Sequence, residues 1–142
     1  MTRIDFYFNV PDKLQQVVLL AAAAVPRRRN LLVLTPDESL AGQLENRIHT
    51  QQPTAFLPCC RADHPLVAET PVVIDWAGEH LERDDILINL CASQPVHFSR
   101  FRRLVELVGL AEEDRRQARA RFRFYRDRGY EIRSFDRAGE ES

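Results

Sequence analysis

Apolar residues recur along the chain with the spacings of strands and helices. Ile4, Phe6 and Phe8 occupy every second position, which is the period of a strand, and the apolar run at 31–35 is typical of a strand buried on both faces. Helix-spaced apolar positions separate such segments. The pattern predicts strands at 3–8, 31–35, 56–57, 71–76, 85–90 and 130–135. It predicts helices at about 11–26, 36–48, 97–108 and 112–128, and a polar loop from about Cys59 to Glu69.

Cap residues support the helix boundaries. Proline suits the first turn of a helix and an aspartate there interacts favourably with the helix dipole, so Pro11 and Asp12 indicate where the first helix begins. Pro26 and the three arginines after it indicate its end. Gly129 suits the position after the last helix, because glycine adopts the left-handed conformation that commonly ends helices.

Strands that alternate with helices predict an α/β fold with a mostly parallel sheet and helices on both of its faces. The chain shows no internal repeat, low-complexity segment or linker. Its 142 residues lie within the usual size of one domain. We therefore predict a single domain at 1–135, followed by a short polar tail at 136–142.

The composition is that of an ordinary globular protein, with 44% hydrophobic and 29% charged residues. No apolar run approaches the roughly 20 residues that cross a bilayer, and the first residues indicate a strand rather than a signal peptide. We therefore expect a cytoplasmic protein with no membrane partner. Cys59, Cys60 and Cys91 have neither the spacing of a disulfide framework nor that of a zinc site.

Glycine-rich phosphate-binding motifs are absent. The five glycines form neither a dinucleotide-binding fingerprint nor a Walker A loop. At the first strand-to-helix junction, Pro11 removes a backbone donor and Asp12 places a negative charge where a phosphate would bind. We therefore expect no nucleotide and no other cofactor.

Candidate nucleophiles and metal ligands are also unconvincing. Ser93 and Ser99 lack the Gly-x-Ser-x-Gly elbow, and the four histidines have no metal-ligand spacing. Cys59 and Cys60 lie near His64, but incidental cysteines and a solvated histidine explain that loop better. The sequence predicts no catalytic residue and no metal site.

The predicted last helix is unusually rich in arginine. Seven arginines lie between Arg115 and Arg128, against a single acid, although the whole chain carries a net charge of −1. At about 100° per residue, Arg115, Arg119, Phe122 and Arg126 fall on one stripe, with Ala118 and Tyr125 beside it facing the sheet. A row of guanidinium groups next to an aromatic ring would suit an acidic peptide with an aromatic end.

Two other interpretations of this helix remain. It could be a solvated arginine-rich face whose aromatic residues belong to the core. It could also bind nucleic acid directly, in which case affinity should fall steeply with salt concentration. The net charge of −1 does not favour direct binding to nucleic acid.

Several short segments follow one another in a distinctive order and spacing. They are Asp5-Phe6-Tyr7, residues 31–38, Phe56-Leu57-Pro58, residues 85–90, and the pattern Arg-x-Arg-Phe-x-x-Tyr-Arg-x-x-Gly-Tyr at 119–130. With this ordered set the chain resembles, over nearly its whole length, the chi subunit family of bacterial DNA polymerase III. The resemblance implies a Rossmann-like fold that lacks the phosphate-binding loop and has no catalytic activity. It also implies two partners. One is the psi subunit of the clamp loader, and the other is the acidic C-terminal peptide of single-stranded DNA-binding protein, which ends in phenylalanine.

The resemblance further implies which residues bind each partner, with DNA engaged only indirectly. The expected tail-peptide site comprises Val108, Arg115, Arg119, Phe122, Arg123 and Arg126. The expected psi surface comprises Ile48, His49, Phe56 and Leu57.

Overall fold

The computed structural model describes residues 1–50, 57–76 and 83–138, which contain seven strands and three α-helices. The strands are β1 (Arg3–Phe8), β2 (Leu31–Leu34), β3 (Cys59–Arg61), β4 (Val72–Asp75), β5 (Ile86–Asn89), β6 (Arg103–Leu107) and β7 (Ile132–Asp136). The helices are α1 (Lys13–Ala24), α2 (Glu38–Thr50) and α3 (Glu112–Asp127). Single 3₁₀ turns lie at Val25–Arg27, Val67–Glu69 and Phe98–Arg100.

The strands form one sheet in the order β3-β4-β2-β5-β6-β1-β7, and every neighbouring pair is parallel. The predicted α/β class with a mostly parallel sheet is therefore confirmed. β1 lies in the interior of the sheet, where Ile4 is paired with Leu104 of β6 and with Ile132 of β7. β3 and β7 are the two edge strands.

The helices divide between the two faces of the sheet. The apolar side chains of α1 and α2, such as Val17 and Leu44, share one buried cluster with alternate strand residues, including Tyr7. On the opposite face, Tyr125 of α3 shares a second buried cluster with Phe6. Successive side chains of a strand point to opposite faces, so β1 contributes to both clusters. Helices on both faces were predicted and are confirmed.

Helix α1 begins at the position that its cap residue Asp12 predicted. Asp12 has an extended backbone, and its side chain accepts a hydrogen bond from the Gln15 backbone N–H at 3.2 Å. This contact satisfies one of the donors that a helix N-terminus leaves unpaired. A second contact, from Arg47 of α2 to the same carboxylate at 2.6 Å, ties the two helices together.

The helix predicted at 97–108 is wrong. The segment contains a 3₁₀ turn at Phe98–Arg100 and then strand β6, which lies between β5 and β1. Phe98, Phe101 and Leu104 recur every three residues and so imitate a helical stripe. The backbone of the following residues is instead paired on both sides, and β6 is buried except at its first residue.

Of the short strand predicted at 56–57, Leu57 belongs to no strand and Phe56 lies outside the described residues. The loop predicted from Cys59 onward is also wrong at its start, because Cys59–Arg61 forms the edge strand β3 and pairs with β4. Arg61 directs its side chain to Glu45 of α2, with Nε 3.1 Å from Oε1. The strand lacks a run of apolar residues, so its pairing with β4 could not be predicted from the sequence pattern.

No helix in the described portions of the chain is long and apolar enough to span a membrane.

Candidate functional site

Helix α3 separates a buried face from an exposed arginine-rich face. Ala118 and Tyr125 are buried against the sheet, as predicted. Arg119, Arg123 and Arg126 are exposed, and Phe122 lies half-buried at the boundary between the two faces. The predicted stripe therefore exists as a surface, with a ring at the edge of the core.

The apolar part of this surface is built where β1 and β6 end. The Phe122 ring lies 5.3 Å from that of Phe6, which stacks in turn on Phe8 at 5.7 Å. Val108, an expected site residue, follows β6 but is 1% exposed and belongs to the core beneath this surface. Its backbone N–H donates to the Tyr7 carbonyl oxygen at 2.9 Å. The carboxyl ends of parallel strands are where open α/β sheets generally bind ligands. Phe8 completes this apolar edge, although sequence reasoning did not assign it to the site.

All three arginines of the stripe already have polar partners within the domain, and the partner of Arg126 is the adjacent Asp127 at 3.3 Å. Arg119 Nη2 lies 3.1 Å from Glu112 Oε1, nearer the N-terminus of α3. Arg115 Nη2 donates to Asn9 Oδ1 at 2.9 Å. Asn9 has a left-handed backbone (φ 57°), which asparagine tolerates better than most residues, and its amide also donates to Asp136 Oδ1 at 2.9 Å. These contacts hold the guanidinium groups in place.

The first turn of α3 carries three acids, Glu112, Glu113 and Asp114, which suit the positive end of the helix dipole. Asp114 Oδ2 accepts hydrogen bonds from the Gly109 backbone N–H at 2.5 Å and from Lys13 Nζ at 3.1 Å. The positive charge of α3 is therefore concentrated beyond its first turn. Neither Asn9 nor these acids were assigned to the site from sequence. The closeness of the acids to the arginines in the sequence could have predicted their ion pairs.

Arg121 does not belong to the basic surface that the count of seven arginines suggested. Its side chain is 2% exposed, and its Nε lies 3.0 Å from Oε1 of the fully buried Glu106. Arg121 Nη1 also donates to the Ala92 carbonyl oxygen at 2.7 Å. One arginine of the helix is thus part of the core.

The Glu106 carboxylate is the centre of this buried network. The Tyr125 hydroxyl donates to Glu106 Oε2 at 2.5 Å, and Asn89 Nδ2 donates to both oxygens at 3.1 and 3.2 Å. Burial raises the pKa of the Glu106 carboxyl, and the Arg121 charge and these hydrogen bonds oppose that rise. Burial, together with the neighbouring Glu106 carboxylate, raises the pKa of the Tyr125 hydroxyl. The network fixes the sheet-facing side of α3, whereas the outer side of the helix stays exposed.

The first strand-to-helix junction is filled by the protein's own acid. Asp12 caps α1 and binds Arg47, so a carboxylate occupies the helix N-terminus, where a phosphate group would otherwise bind. Hydrogen bonds and the charge of Arg47 hold the pKa of Asp12 below its ordinary value, although burial works in the other direction. Asp12 thus remains an anion at neutral pH and would repel a phosphate there.

The thiols do not form a reactive centre. Burial, with smaller contributions from Glu45 and Cys60, raises the pKa of the Cys59 thiol to about 12. Burial also raises the pKa of Cys91. A thiol is nucleophilic only as its thiolate, so neither cysteine is activated. Within residues 1–50, 57–76 and 83–138, no three histidine, cysteine or acidic side chains are grouped to hold a metal ion.

The residues expected to bind psi are unequally accessible. Ile48 is 0% exposed and Leu57 is 4% exposed, so both side chains belong to the core under α2. His49 is exposed on the last turn of α2. Phe56 lies outside the described residues. Of the four, His49 is therefore the side chain that the structure places on the surface.

Comparison with known proteins gives a consistent family assignment. The family model described as DNA polymerase III chi subunit, HolC, matches residues 1–133. DNA polymerase III subunit chi of Pseudomonas aeruginosa is 33% identical over 137 residues, covering 93% of this chain and 94% of that protein. The Haemophilus influenzae protein of the same name is 27% identical over 114 residues, covering 80% of this chain and 79% of that protein.

A solved structure shares the fold at much lower sequence similarity. The C-terminal domain of S. cerevisiae Dbp5, bound to Gle1 and IP6, superimposes with a TM-score of 0.64 at 7% identity. The match covers 97% of this chain and 92% of that one. At this identity the likeness concerns the fold alone.

Proposed function

Because the chain belongs to the DNA polymerase III chi subunit family, we propose that it is a non-catalytic adaptor within that polymerase assembly. In this role it joins the clamp loader, through the psi subunit, to the C-terminal peptide of single-stranded DNA-binding protein. The observation that supports the peptide half most directly is the exposed Arg119 beside the half-buried Phe122 at the carboxyl edge of the sheet. DNA would then be engaged through the coating protein.

The chemistry of the stripe matches an acidic peptide that ends in phenylalanine. The peptide's terminal ring would pack on the half-buried Phe122, since aromatic pairs gain from tilted or stacked contact as well as from burial. Its carboxylates would bind Arg119 and Arg115, because the planar guanidinium group matches a carboxylate bidentately. Arg123 and Arg126 would attract the acidic residues that precede the terminal one.

Binding would replace contacts already present in the free protein. In the free protein Arg119 Nη2 donates to Glu112 Oε1 at 3.1 Å, and a carboxylate of the peptide would replace that of Glu112. The exchange costs little, because both side chains are more than half exposed and such surface pairs contribute about 0–1 kcal/mol. The peptide can therefore use the guanidinium group without breaking the core.

Titration calorimetry with three synthetic peptides would test the peptide half of the proposal. The first peptide is acidic and ends in phenylalanine, the second ends in alanine instead, and the third keeps the phenylalanine but has its acids replaced by amides. We expect only the first to bind well, because the ring and the charges act together. Equal binding of the first and second peptides would contradict the role of Phe122. Failure of the first peptide to bind would contradict the site.

The psi half of the proposal places that partner at the end of α2, next to the edge strand β3. His49 would lie on the contact surface above the buried Ile48 and Leu57, and Phe56 is proposed as an apolar anchor. This region and the α3 stripe belong to opposite faces of the sheet. One domain could therefore hold both partners at once.

Reciprocal substitutions would test whether the two partners use separate surfaces. Phe56→Ala should weaken psi binding by about 2 kcal/mol or more, as truncation of a central aromatic anchor commonly does, and leave peptide affinity unchanged. Arg119→Ala should do the reverse. A substitution that weakened both partners comparably, in a domain with an unchanged melting temperature, would exclude separate surfaces.

A further inference from the structure

A groove of about 700 Å³ follows α1 on the face of the sheet opposite to α3. One wall is the apolar side of α1, made by Leu19, Leu20, Ala23 and Ala24. The rest includes Tyr7 and the first residues of β1, β5 and β6. Leu19 is 45% exposed, so the wall offers aliphatic surface to a ligand. In the part of the chain that the structure describes, neither the α3 stripe nor the proposed psi surface contributes to this lining.

The groove is also strongly cationic. Five arginines line it, at positions 3, 27, 29, 103 and 137. Asp12 is the one acid among the described residues of the lining, and its carboxylate is already engaged by Arg47 and the helix cap. Arg29 is also paired, with its Nη2 3.4 Å from Asp85 Oδ1. The other arginines still give the groove a local excess of guanidinium groups in a chain whose net charge is −1. Such a field favours an anionic ligand.

One buried carboxylate beneath the groove is shared by three arginines. Asp5 Oδ2 lies 2.7 Å from Arg103 Nε and 3.7 Å from Arg3 Nη2, and Asp5 Oδ1 lies 3.1 Å from Arg133 Nε. A single negative charge cannot neutralise three guanidinium groups. Each group has five N–H donors, so Arg3 and Arg103 keep donors beyond those that bind Asp5.

The aromatic rings near the groove are covered. Tyr7 is 6% exposed, with Phe135 stacked 5.0 Å away and the Arg137 guanidinium 4.7 Å from the ring centroid. Proteins that bind single-stranded nucleic acid combine cationic grooves with open rings on which bases stack. The described part of this groove offers aliphatic surface in their place, which favours a peptide over nucleic acid.

We propose that this groove binds an acidic amphipathic segment of a partner protein. The segment's apolar side chains would pack on Leu19 and Ala23, and its carboxylates would bind Arg3 and Arg103. From Gln15 of α1 to Arg27 of the following 3₁₀ turn the wall extends about 18–20 Å, which is the length of roughly 12 helical residues at 1.5 Å each. This would be a third docking surface, beyond the two of the proposed adaptor function.

The probe for a direct test is a helical peptide of about 12 residues, with leucine at i, i+4 spacing and glutamate on the opposite side. Two other probes serve as controls: a scrambled peptide of the same composition and a single-stranded oligothymidylate of equal length. Binding is followed by NMR on the full chain carrying Arg119→Ala, so that the α3 stripe does not compete. We expect the amphipathic peptide to shift the signals of Leu19 and Ala23, and the scrambled peptide to bind less tightly.

Two substitutions on α1 form a matched pair. Ala23 lines the groove, whereas the adjacent Ala22 is exposed outside it. Ala23→Glu should weaken peptide binding more than about tenfold, because it places a like charge and a polar group on the apolar wall, while Ala22→Glu should have little effect. Arg3→Gln provides a second variant, which removes one cation of the groove together with its 3.7 Å contact to Asp5, and it should also weaken binding.

Three results would overturn the proposal. The first is the absence of detectable binding at a peptide concentration of about 1 mM, at which even a weak specific complex is substantially populated. The second is an equal loss of affinity in the Ala22 and Ala23 variants. The third is tighter binding of the oligothymidylate at the same residues, which would assign the groove to nucleic acid.

Discussion

Arg121 Nε lies 3.0 Å from Glu106 Oε1, and both side chains are withdrawn from solvent. Removal of one partner from a buried ion pair leaves an uncompensated charge. We therefore expect Arg121→Ala to lower the free energy of unfolding by about 3–5 kcal/mol in urea titrations. Arg123→Ala, two positions away on the exposed side, should change it by no more than about 0.5 kcal/mol. Equal effects of the two substitutions would show that the buried network does not stabilise the domain.

Arg119→Ala should weaken binding of the acidic phenylalanine-ended peptide by about 1.5–3 kcal/mol, the usual contribution of a hydrogen bond to a charged group. Calorimetry would measure the change. Arg116 is a suitable control, because it is exposed on the same helix and does not belong to the proposed site. If Arg116→Ala had the same effect, general attraction by the helix rather than a specific site would explain binding.

Glu112→Gln should strengthen binding of the same peptide by about two- to fivefold, because exposed ion pairs contribute up to about 1 kcal/mol and the carboxylate that competes for Arg119 is removed. Glu113→Gln removes the same charge one residue away, where the partner is Arg116 instead. A larger gain in the Glu112 variant than in the Glu113 variant would identify competition at Arg119. Equal gains would reflect only the change in net charge.

Acid should weaken the fold partly through Asp5. Burial opposes ionisation of this carboxyl, but the hydrogen bonds and charges of Arg133 and Arg103 outweigh burial and hold its pKa below the ordinary value. A lowered pKa in the folded state contributes stability above the pKa of the unfolded chain, and this stability is lost as the pH falls through the folded pKa. We therefore expect the contribution of Asp5 to decline below about pH 4.

Urea titrations at several pH values, on the natural chain and on Asp5→Asn, would check this. The variant should be less stable at neutral pH, and its stability should fall less between about pH 4 and pH 2. Parallel acid curves would show that Asp5 has the same pKa in the folded and unfolded chains.

Local sequence patterns were sufficient to predict those elements whose residues have a single structural interpretation. The alternation of Ile4, Phe6 and Phe8 predicted β1, and the Asp12 cap predicted the start of α1. They failed at β6, because a strand in the middle of a parallel sheet is buried on both faces and shows no period of two. Its apolar residues can then be confused with a helical stripe, and only pairing with distant strands distinguishes the two.

The candidate site could likewise be predicted only in part from the sequence. The exposed arginines and the boundary position of Phe122 could be predicted from the helical period alone. Arg121 was counted with the surface because of its charge, although it lies three residues after Ala118 and four before Tyr125, on the buried side. Its partner Glu106 belongs to strand β6, and no local pattern predicts which distant acid will form an ion pair with a buried arginine.

The position of β1 also has a consequence for the timing of folding. Its two neighbours in the sheet are β6 and β7, which are synthesised much later. Arg3 can pair with Arg103, and Ile4 with Ile132, only after those residues have been made. At about 5–20 residues per second, the ribosome needs about 5–26 s to synthesise the chain up to those partners. During that interval the apolar side chains of β1 lack their final neighbours. The nascent chain should therefore depend on chaperones most strongly before β6 emerges, and slower translation of the second half should increase aggregation.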